Sequence, residues 1–395
     1  MAYEIGVGPA QITINVGESV LITEIDGQIH QPSERGLFFR DTRLVSAWMA
    51  TVDDRPWQVL NSAATDPFAA QVVLVNPVLP KDDGEVPAGS ISLTLSRLLE
   101  QGGMRETLTV RNHNRIPVRL SLAVRFSCDF ADLFDVKARR IVTRGQTCSR
   151  WSCEKGCITT VHTNGSFRRG LSVGPADGAH RPVLRDGALC FLLELDPRRS
   201  WSTDLDYCWI DGDRTLDGPG LRFAERERSG PSVGLQAWRD GATRLRTPHI
   251  GLQQLYDQSF DDLAALRLPF EGTDFNNFVP AAGIPWFAAL FGRDSLITAI
   301  QTVPIYPDFA RGALELLARY QATEADDSRD MQPGKIPHEL RRGEIASLHL
   351  NPYWPYYGTA DATPLYLILL HRAWQYTGDR GLIERHLVTA ERCLA

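Results

Sequence analysis

The chain has 395 residues, which is enough for two or more domains with separate cores. Its formal net charge is −6 and its sequence pI is about 5.9, so its surface does not favour a nucleic-acid backbone or an anionic membrane as a partner. Hydrophobic residues make up 43% and charged residues 23% of the chain, as is typical of a globular protein.

Targeting and metal-binding signals are absent from the sequence. No apolar run reaches the roughly 20 residues that a membrane-spanning helix needs, and the N-terminus lacks the basic and apolar regions of a secretory signal. The seven cysteines do not form a disulfide framework, and Cys148, Cys153 and Cys157 lack the CxxC spacing of a zinc site. We therefore expect a cytoplasmic protein without metal or cofactor.

The first part of the chain alternates between polar and apolar residues, as half-buried strands do. The alternating runs are Gln11–Val16, Ile91–Leu95, Thr107–Val110 and Val118–Phe126. Turn pairs such as Asp26-Gly27 recur between the runs. This pattern predicts an antiparallel β-sandwich over residues 1–235.

Near residue 245 the hydrophobic period changes to that of a helix. The first helical face carries Leu252, Leu255, Ser259, Leu263 and Leu266, with Tyr256 and Phe260 beside it. Further helical runs cover 293–303, 308–321, 363–377 and 379–395. Asp308 is the expected N-cap of the third helix, and Thr363-Pro364 begins the fourth. Long loops rich in Pro, Gly, Trp and Tyr are typical of a helical barrel with a pocket at one end. The last run has no residue that would end it, which predicts an incomplete barrel over 236–395.

A first candidate site lies in Ala282–Leu296, where an aromatic loop runs into a helix. Arg293 and Asp294 stand at the junction, after Trp286 and Phe291. Aromatic rings pack on the apolar face of a sugar, and guanidinium and carboxylate groups hydrogen-bond its hydroxyls. From the spacing alone, an N-capping Asp beside a surface Arg is the simpler alternative.

A second candidate site, residues 334–344, holds His338, Glu339, Arg341 and Glu344 in a short loop. The HExxH spacing of a zinc protease is missing because position 342 is Arg. The spacing alone favours a solvated charge run over a catalytic loop.

A third candidate is Asp361, which follows an aromatic run that includes Tyr357 and precedes a helix start. A carboxyl group beside apolar rings can have its pKa raised by burial, as a general acid for glycosidic cleavage requires. Capping of the following helix is an equally good explanation of this spacing.

These three stretches resemble a known family. FGRDSLITAIQT, GKIPHELRRGE and YYGTADATPLYLILL are similar to motifs of the bacterial and archaeal amylo-α-1,6-glucosidase type of glycogen debranching enzyme. Gly36–Leu44 and Asp129–Val136 resemble the β-rich N-terminal domain of such enzymes. The resemblance covers essentially the whole chain in the expected order.

The resemblance implies an (α/α)6 barrel and an inverting glycoside hydrolase whose two carboxyl groups lie roughly 6.5–9.5 Å apart. Arg293 and Asp294 match the pair that holds the glycone sugar, and Asp361 matches the general acid. The general base of related barrels is a Glu on a later helix, beyond residue 395, which implies a C-terminally truncated catalytic domain. Glu339 or Glu344 could supply a carboxylate instead, although neither matches the family's base. The residues expected to shape the substrate pocket are Trp286, Phe291, His338, Glu339, Arg341, Glu344 and Tyr357.

Three functions are compatible with these motifs. The first is hydrolysis of α-glucans at α-1,6 branch points, that is, glycogen debranching. The second is hydrolysis of another α-glucoside by the same barrel, as in trehalase-like or glucosylglycerate-type enzymes. The third is a non-catalytic carbohydrate-binding fragment. The expected partner is an α-glucan or oligosaccharide, and the uncovered helix faces of an incomplete barrel predict self-association.

Overall fold

The computed structural model describes residues 11–81, 84–176, 180–216, 218, 220, 238–269 and 278–395. The chain divides into two compact units, Met1–Asn15 with Ser19–Gly230 and Val16–Glu18 with Pro231–Ala395. The predicted domain boundary at residue 235 falls within residues 221–237, which lie outside the described residues.

The described part of the first unit is built mainly from strands, with one short helix, α1 (Leu133–Lys137). Its strands are β1 Ile12–Val16, β2 Ser19–Thr23, β3 Gly36–Phe39, β4 Thr42–Val45, β5 Ala47–Val52, β6 Arg55–Pro56, β7 Gln58–Asp66, β8 Ala69–Val75, β9 Leu79–Lys81, β10 Gly84–Val86, β11 Ile91–Glu100, β12 Gly103–Asn112, β13 Val118–Ser127, β14 Gln146–Ser152, β15 Cys157–Asn164, β16 Phe167–Pro175, β17 Val183–Arg185, β18 Ala188–Leu195, β19 Ser200–Asp211 and β20 Arg214–Thr215.

Two large sheets dominate this unit. One has the order β14-β15-β16-β19-β12-β11-β8-β7, with β20 beside β19, and the other has the order β17-β18-β13-β5-β6. Smaller sheets are formed by β1-β2-β3-β4 and by β9-β10. The long pairings of β11 with β12 and of β13 with β18 are antiparallel. The predicted alternating runs lie in β1, β11, β12 and β13. In the runs of β11, β12 and β13, alternate side chains are buried, as expected when one face of a strand packs on the core.

A buried polar network joins the two large sheets. Trp48 of β5 donates its indole N–H to the Tyr207 hydroxyl of β19 at 2.9 Å, and Tyr207 donates to Glu106 of β12 at 2.8 Å. Arg97 of β11 pairs with Glu106 at 2.8 Å and lies 4.4 Å from the ring centre of Trp48. Burial, aided by the Glu106 carboxylate, raises the pKa of Tyr207 well above its ordinary value. The network satisfies polar groups that would otherwise destabilise the core.

The second unit is mainly helical. Its elements are α2 Ile250–Ala265, β21 Arg267–Pro269, β22 Phe278–Pro280, β23 Leu290–Phe291, α3 Gly292–Thr302, α4 Asp308–Arg319, β24 Glu339–Leu340, α5 Glu344–Ser347, α6 Ala362–Thr377 and α7 Arg380–Leu394, with a 3-10 turn at Asp327–Arg329. Helix α3 packs against α4 and α6, and α6 packs against α7. The predicted fold class is confirmed in that an antiparallel β-rich part is followed by a helical part.

Helix α2 forms where the period predicts it, but it buries a different face. Leu252 and Leu255 are 46% and 64% exposed, whereas Phe260 and Ala264 are buried. The reason is Trp238, whose ring stacks on Phe260 at 4.5 Å between centroids and whose indole N–H donates to the Phe260 carbonyl at 3.1 Å. A tertiary aromatic contact thus outweighs the leucine stripe.

The predicted N-caps are displaced in two helices. Helix α4 has Pro307 at its N-cap and begins at Asp308, whose carboxylate accepts from Arg311 at 2.6 Å instead of capping the helix. Helix α6 begins at Ala362, and the Thr363 hydroxyl accepts from the backbone N–H of Ile336 at 3.1 Å. Capping by Asp308 is therefore wrong, because a side-chain partner one turn further on takes its carboxylate.

Candidate active site

The three candidate stretches are joined by backbone hydrogen bonds. Strand β23 pairs with β24, which places Phe291 beside Glu339, and the Gly292 N–H donates to the His338 carbonyl at 2.8 Å. The His338 N–H donates to the Tyr356 carbonyl at 2.7 Å, and the Tyr356 N–H donates to the Glu339 carbonyl at 2.9 Å. The sequence motifs around residues 291, 338 and 356 therefore form one continuous structure.

Gly292 lies at the tightest point of this structure. A Cβ atom at this position would come within 2.0 Å of the Pro337 carbonyl oxygen and 3.2 Å of the Ala362 Cβ. Any larger residue would push the start of α3 away from the second stretch and from α6. The glycine before Arg293 is thus required for close approach of the chain, not for an unusual backbone angle.

Arg293 and Asp361 form an ion pair at this junction. Arg293 Nη1 donates to Asp361 Oδ2 at 3.0 Å, and the two side chains are 48% and 39% exposed. The other carboxylate oxygen, Oδ1, accepts a short hydrogen bond from the Thr359 hydroxyl. Both oxygens of Asp361 are therefore held by donors while the pair stays accessible to solvent.

The environment of Asp361 corrects the pKa predicted from the sequence. The Thr359 hydroxyl in the first place, and the Arg293 guanidinium after it, lower the pKa of Asp361 below its ordinary value despite some desolvation. The expected elevation is wrong because the preceding aromatic rings do not enclose the carboxylate. Asp361 is ionised in the free protein.

Asp361 occupies the N-cap position of α6 but does not cap it. No backbone N–H of the helix donates to its carboxylate. Asp294 lies in the first turn of α3, whose N-cap is Phe291, so capping by Asp294 is also wrong. Its partly exposed carboxylate has no hydrogen-bond partner within the described residues, and the N-terminal end of the helix favours its negative charge.

The second stretch is buried, and the expectation of a solvated charge run is wrong. Arg341 and Glu339 are only 5% and 7% exposed and form an ion pair through Arg341 Nε. Arg341 Nη2 donates to the Trp286 carbonyl at 2.9 Å, and the guanidinium lies 5.1 Å from the ring centre of Phe291. Glu344 is buried at the start of α5. This pair ties the first loop to the second.

The predicted aromatic residues differ in accessibility. Trp286 is half-buried, whereas Phe291 and Tyr357 are buried. The Tyr357 hydroxyl donates to the Tyr320 carbonyl at 2.8 Å, and burial raises its pKa. Tyr357 therefore stabilises the loop through a buried side chain.

His338 lies edge-on to Phe291 and Tyr356, with ring centroids 6.0 and 6.1 Å away. Its Nδ1 atom is buried and has no hydrogen-bond partner in the described part of the chain. The residue as a whole is half-buried, so part of it is accessible to a ligand.

Sequence reasoning did not identify Thr359 or the packing of Trp354. The Arg329 guanidinium and the His349 ring lie 4.1 and 3.7 Å from the Trp354 ring centre, so they occupy opposite faces of the indole. Trp354 is thus closed to a sugar. The hydroxyl two residues before Asp361 in Thr-Ala-Asp was the available signal for Thr359.

The residues that the structure describes contain neither a metal-binding cluster nor a membrane-spanning helix. No cluster of three or more His, Cys, Asp or Glu side chains is arranged to hold a metal ion. No helix in the described ranges combines the length and apolar character needed to cross a bilayer.

The solved structures that align with this chain are similar to it in fold, with low sequence identity. A "Putative kojibiose phosphorylase from human microbiome" aligns over 97% of this chain and 56% of its own, with a TM-score of 0.61 and 9% identity. This chain thus spans little more than half the length of that protein. A galactose mutarotase-like protein from Lactobacillus casei ATCC 334 aligns over 51% of this chain and 100% of its own, with a TM-score of only 0.33 and 9% identity.

No curated protein sequence matches the chain. A family model described as the N-terminal domain of (some) glycogen debranching enzymes matches residues 14–206. This match confirms the resemblance for the β-rich part and is consistent, at a coarse level, with a carbohydrate-active enzyme. Residues 14–206 are thus similar to the N-terminal domain of (some) glycogen debranching enzymes.

Proposed function

We propose that this chain provides the glycone-binding part of a glycoside hydrolase that acts on α-glucans, most specifically on the α-1,6 branch points of glycogen. The observation that carries the proposal is the exposed Arg293–Asp361 ion pair at the meeting point of three motifs. Asp294 stands beside it in the first turn of α3, and Trp286 lies in the preceding loop. Charged planar groups near an aromatic ring suit a pyranose.

In the proposed inverting mechanism, Arg293 and Asp294 bind glycone hydroxyls and Asp361 protonates the leaving oxygen. Asp361 is ionised in the free protein, so it must gain a proton when substrate binds. A sugar hydroxyl that accepts the Arg293 hydrogen bond removes one of the two donors from Asp361. Exclusion of water by the sugar raises the pKa of the carboxyl group further.

The base is assigned to a carboxylate other than Glu339 and Glu344. Glu339 is paired with Arg341, and both glutamates are almost fully buried. A base that activates water must contact that water. The proposal therefore places the base on a later helix, as in the related barrels.

The test is glucose release from a branched limit dextrin by the protein supplied with the later helix that carries the base, and by its Asp294→Asn variant. The substitution removes a charged acceptor whose hydrogen bonds are worth about 1.5–3 kcal/mol, so kcat/KM should fall roughly 10- to 100-fold. Asp308→Asn is the matched control, since Asp308 also lies in the first turn of a helix but pairs with Arg311 on the surface. Equal activity of the two variants would remove Asp294 from the site.

Other substrates separate the alternative functions. Glucose release from trehalose or glucosylglycerate, without release from limit dextrin, would favour another hydrolase of the same barrel type. Binding of maltooligosaccharides without any release would favour a carbohydrate-binding role. Asp294→Asn should weaken binding in each case.

We propose a cytoplasmic location because the cysteines carry free thiols. All seven cysteines are free, which suits the reducing cytoplasm. Cell fractionation tests this, and recovery in the extracellular fraction would contradict it.

Self-association is proposed from uncovered apolar side chains on two helices. Leu252 and Leu255 of α2 and Leu387 and Val388 of α7 are exposed. Light scattering should show a mass above 44.0 kDa, and a stable monomer would contradict this.

A further inference from the structure

Thr359 is outside the set of site residues predicted from the sequence, yet it contacts the central carboxylate. We propose that Thr359 is a positioning residue: its hydroxyl group, together with Arg293, holds the Asp361 carboxylate ionised and turned away from the helix that it begins. The inference rests on the proposed function, because it concerns the residue assigned there as the proton donor. Its evidence is the geometry around residues 357–361.

The first observation is that Asp361 departs from the usual behaviour of an N-cap. An Asp at this position normally accepts a hydrogen bond from a backbone N–H of the first turn. Asp379 does so at the start of α7, where it accepts from Leu382 N at 3.1 Å, and Asp132 does so before α1. Asp361 makes no such bond. Its carboxylate is held by other donors.

The second observation is that one donor serves each carboxylate oxygen. Thr359 Oγ1 donates to Oδ1, and Arg293 Nη1 donates to Oδ2 at 3.0 Å. A proton on either oxygen of Asp361 would displace one of these hydrogen bonds. Arg293 is the charged group that faces the carboxylate from α3, and the hydrogen bond from the Thr359 hydroxyl is the largest single cause of the lowered pKa of Asp361.

The third observation is that the two donors, Thr359 and Arg293, differ in how far their side chains can move. The Thr359 N–H donates to the Tyr357 carbonyl at 2.8 Å, and Tyr357 is buried and fixed through hydrogen bonds to the carbonyls of Arg329 and Tyr320. Arg293 is a long, half-exposed side chain that can turn to a sugar hydroxyl. Thr359 therefore keeps Asp361 oriented while Arg293 engages substrate.

The direct test is a 13C NMR titration of the Asp361 carboxyl carbon in the whole protein without substrate, with the signal assigned by its loss in Asp361→Asn. Removing a donor to the ionised form raises the pKa of a carboxyl group. The midpoint should move up by about half a pH unit or more in Thr359→Val, which keeps the shape of the side chain. It should stay near the wild-type value in Thr359→Ser, which keeps the hydroxyl. An unchanged midpoint in Thr359→Val overturns the inference.

Activity gives a second readout, in the pH dependence of kcat/KM, which reports the ionisation of free enzyme. The limb of the pH profile that disappears in Asp361→Asn should lie at higher pH in Thr359→Val than in the wild type. In Thr359→Ser it should lie at the wild-type pH. A uniform loss at every pH, with an unmoved limb, would indicate a merely structural threonine and overturn the inference. If the wild type neither binds nor cleaves a glucoside, the proposed function fails while the NMR titration still decides the role of Thr359. Thr359→Ala replaces Thr359→Val if circular dichroism shows that the latter does not fold.

Discussion

Replacing Gly292 by alanine should weaken the second unit at the point where its three motifs meet. The new Cβ would lie 2.0 Å from the Pro337 carbonyl oxygen, where real Cβ atoms essentially never come closer than 3.0 Å. The chain must therefore move by about 1 Å or more, which strains the Gly292–His338 hydrogen bond. Overpacking of this kind costs about 1–3 kcal/mol, against a gain of at most about 1 kcal/mol from replacing a helical glycine.

The chain offers a matched control for this substitution. Gly251 also lies in the first turn of a helix, α2, and a Cβ there would have its nearest neighbour at 3.4 Å, an ordinary contact. Urea unfolding followed by circular dichroism at 222 nm measures the helices, and among the described residues all helices except α1 belong to the second unit. Gly292→Ala should lose stability, while Gly251→Ala should be neutral or slightly more stable. Equal midpoints for the two variants would refute the packing argument.

Three further outcomes are expected. In the protein supplied with the later helix that carries the base, Asp361→Asn should lower turnover of natural glucan by about 10²–10⁴-fold. A glucosyl fluoride, which needs little protonation, should recover much of that loss, and equal losses on both substrates would remove the general-acid role. Arg97→Met should lower the free energy of unfolding in urea by about 3–5 kcal/mol, because the Glu106 carboxylate is left buried without its charged partner. The control is Arg119→Met, which breaks an ion pair whose side chains are both more than 70% exposed and should change that free energy by no more than about 1 kcal/mol. Similar losses in the two variants would contradict this prediction. Residues 1–235 expressed alone should melt cooperatively with a β-type spectrum, and a broad loss of signal would count against this boundary.

Much of the architecture follows from local pattern. The alternation in β11, β12 and β13 and the helical period after residue 245 depend on burial of one face, which a sequence displays directly. The buried face of α2 could not be predicted, because it is set by Trp238 through a contact between separate segments. Helix propensity and hydrophobic period describe one helix or strand at a time, so they do not predict contacts between separate segments.

The candidate site was predicted in part. The sequence identified Arg293 and Asp361 and brought them into one site only through the family resemblance, and the structure places them 3.0 Å apart. Their residue types do not reveal whether a carboxylate is enclosed or exposed, so the direction of the pKa shift of Asp361 was missed. The same lack of tertiary information made the buried Arg341–Glu339 pair look like a surface charge run.

The backbone hydrogen bonds that join residues 291, 338 and 356 have a consequence for how such a site can diverge. Main-chain pairing does not depend on which side chains the paired residues carry. Exposed side chains on these loops can therefore change without loss of the main-chain hydrogen bonds. A lineage could change the sugar that it recognises by altering those positions one at a time, while Gly292 and the Arg341–Glu339 pair preserve the frame.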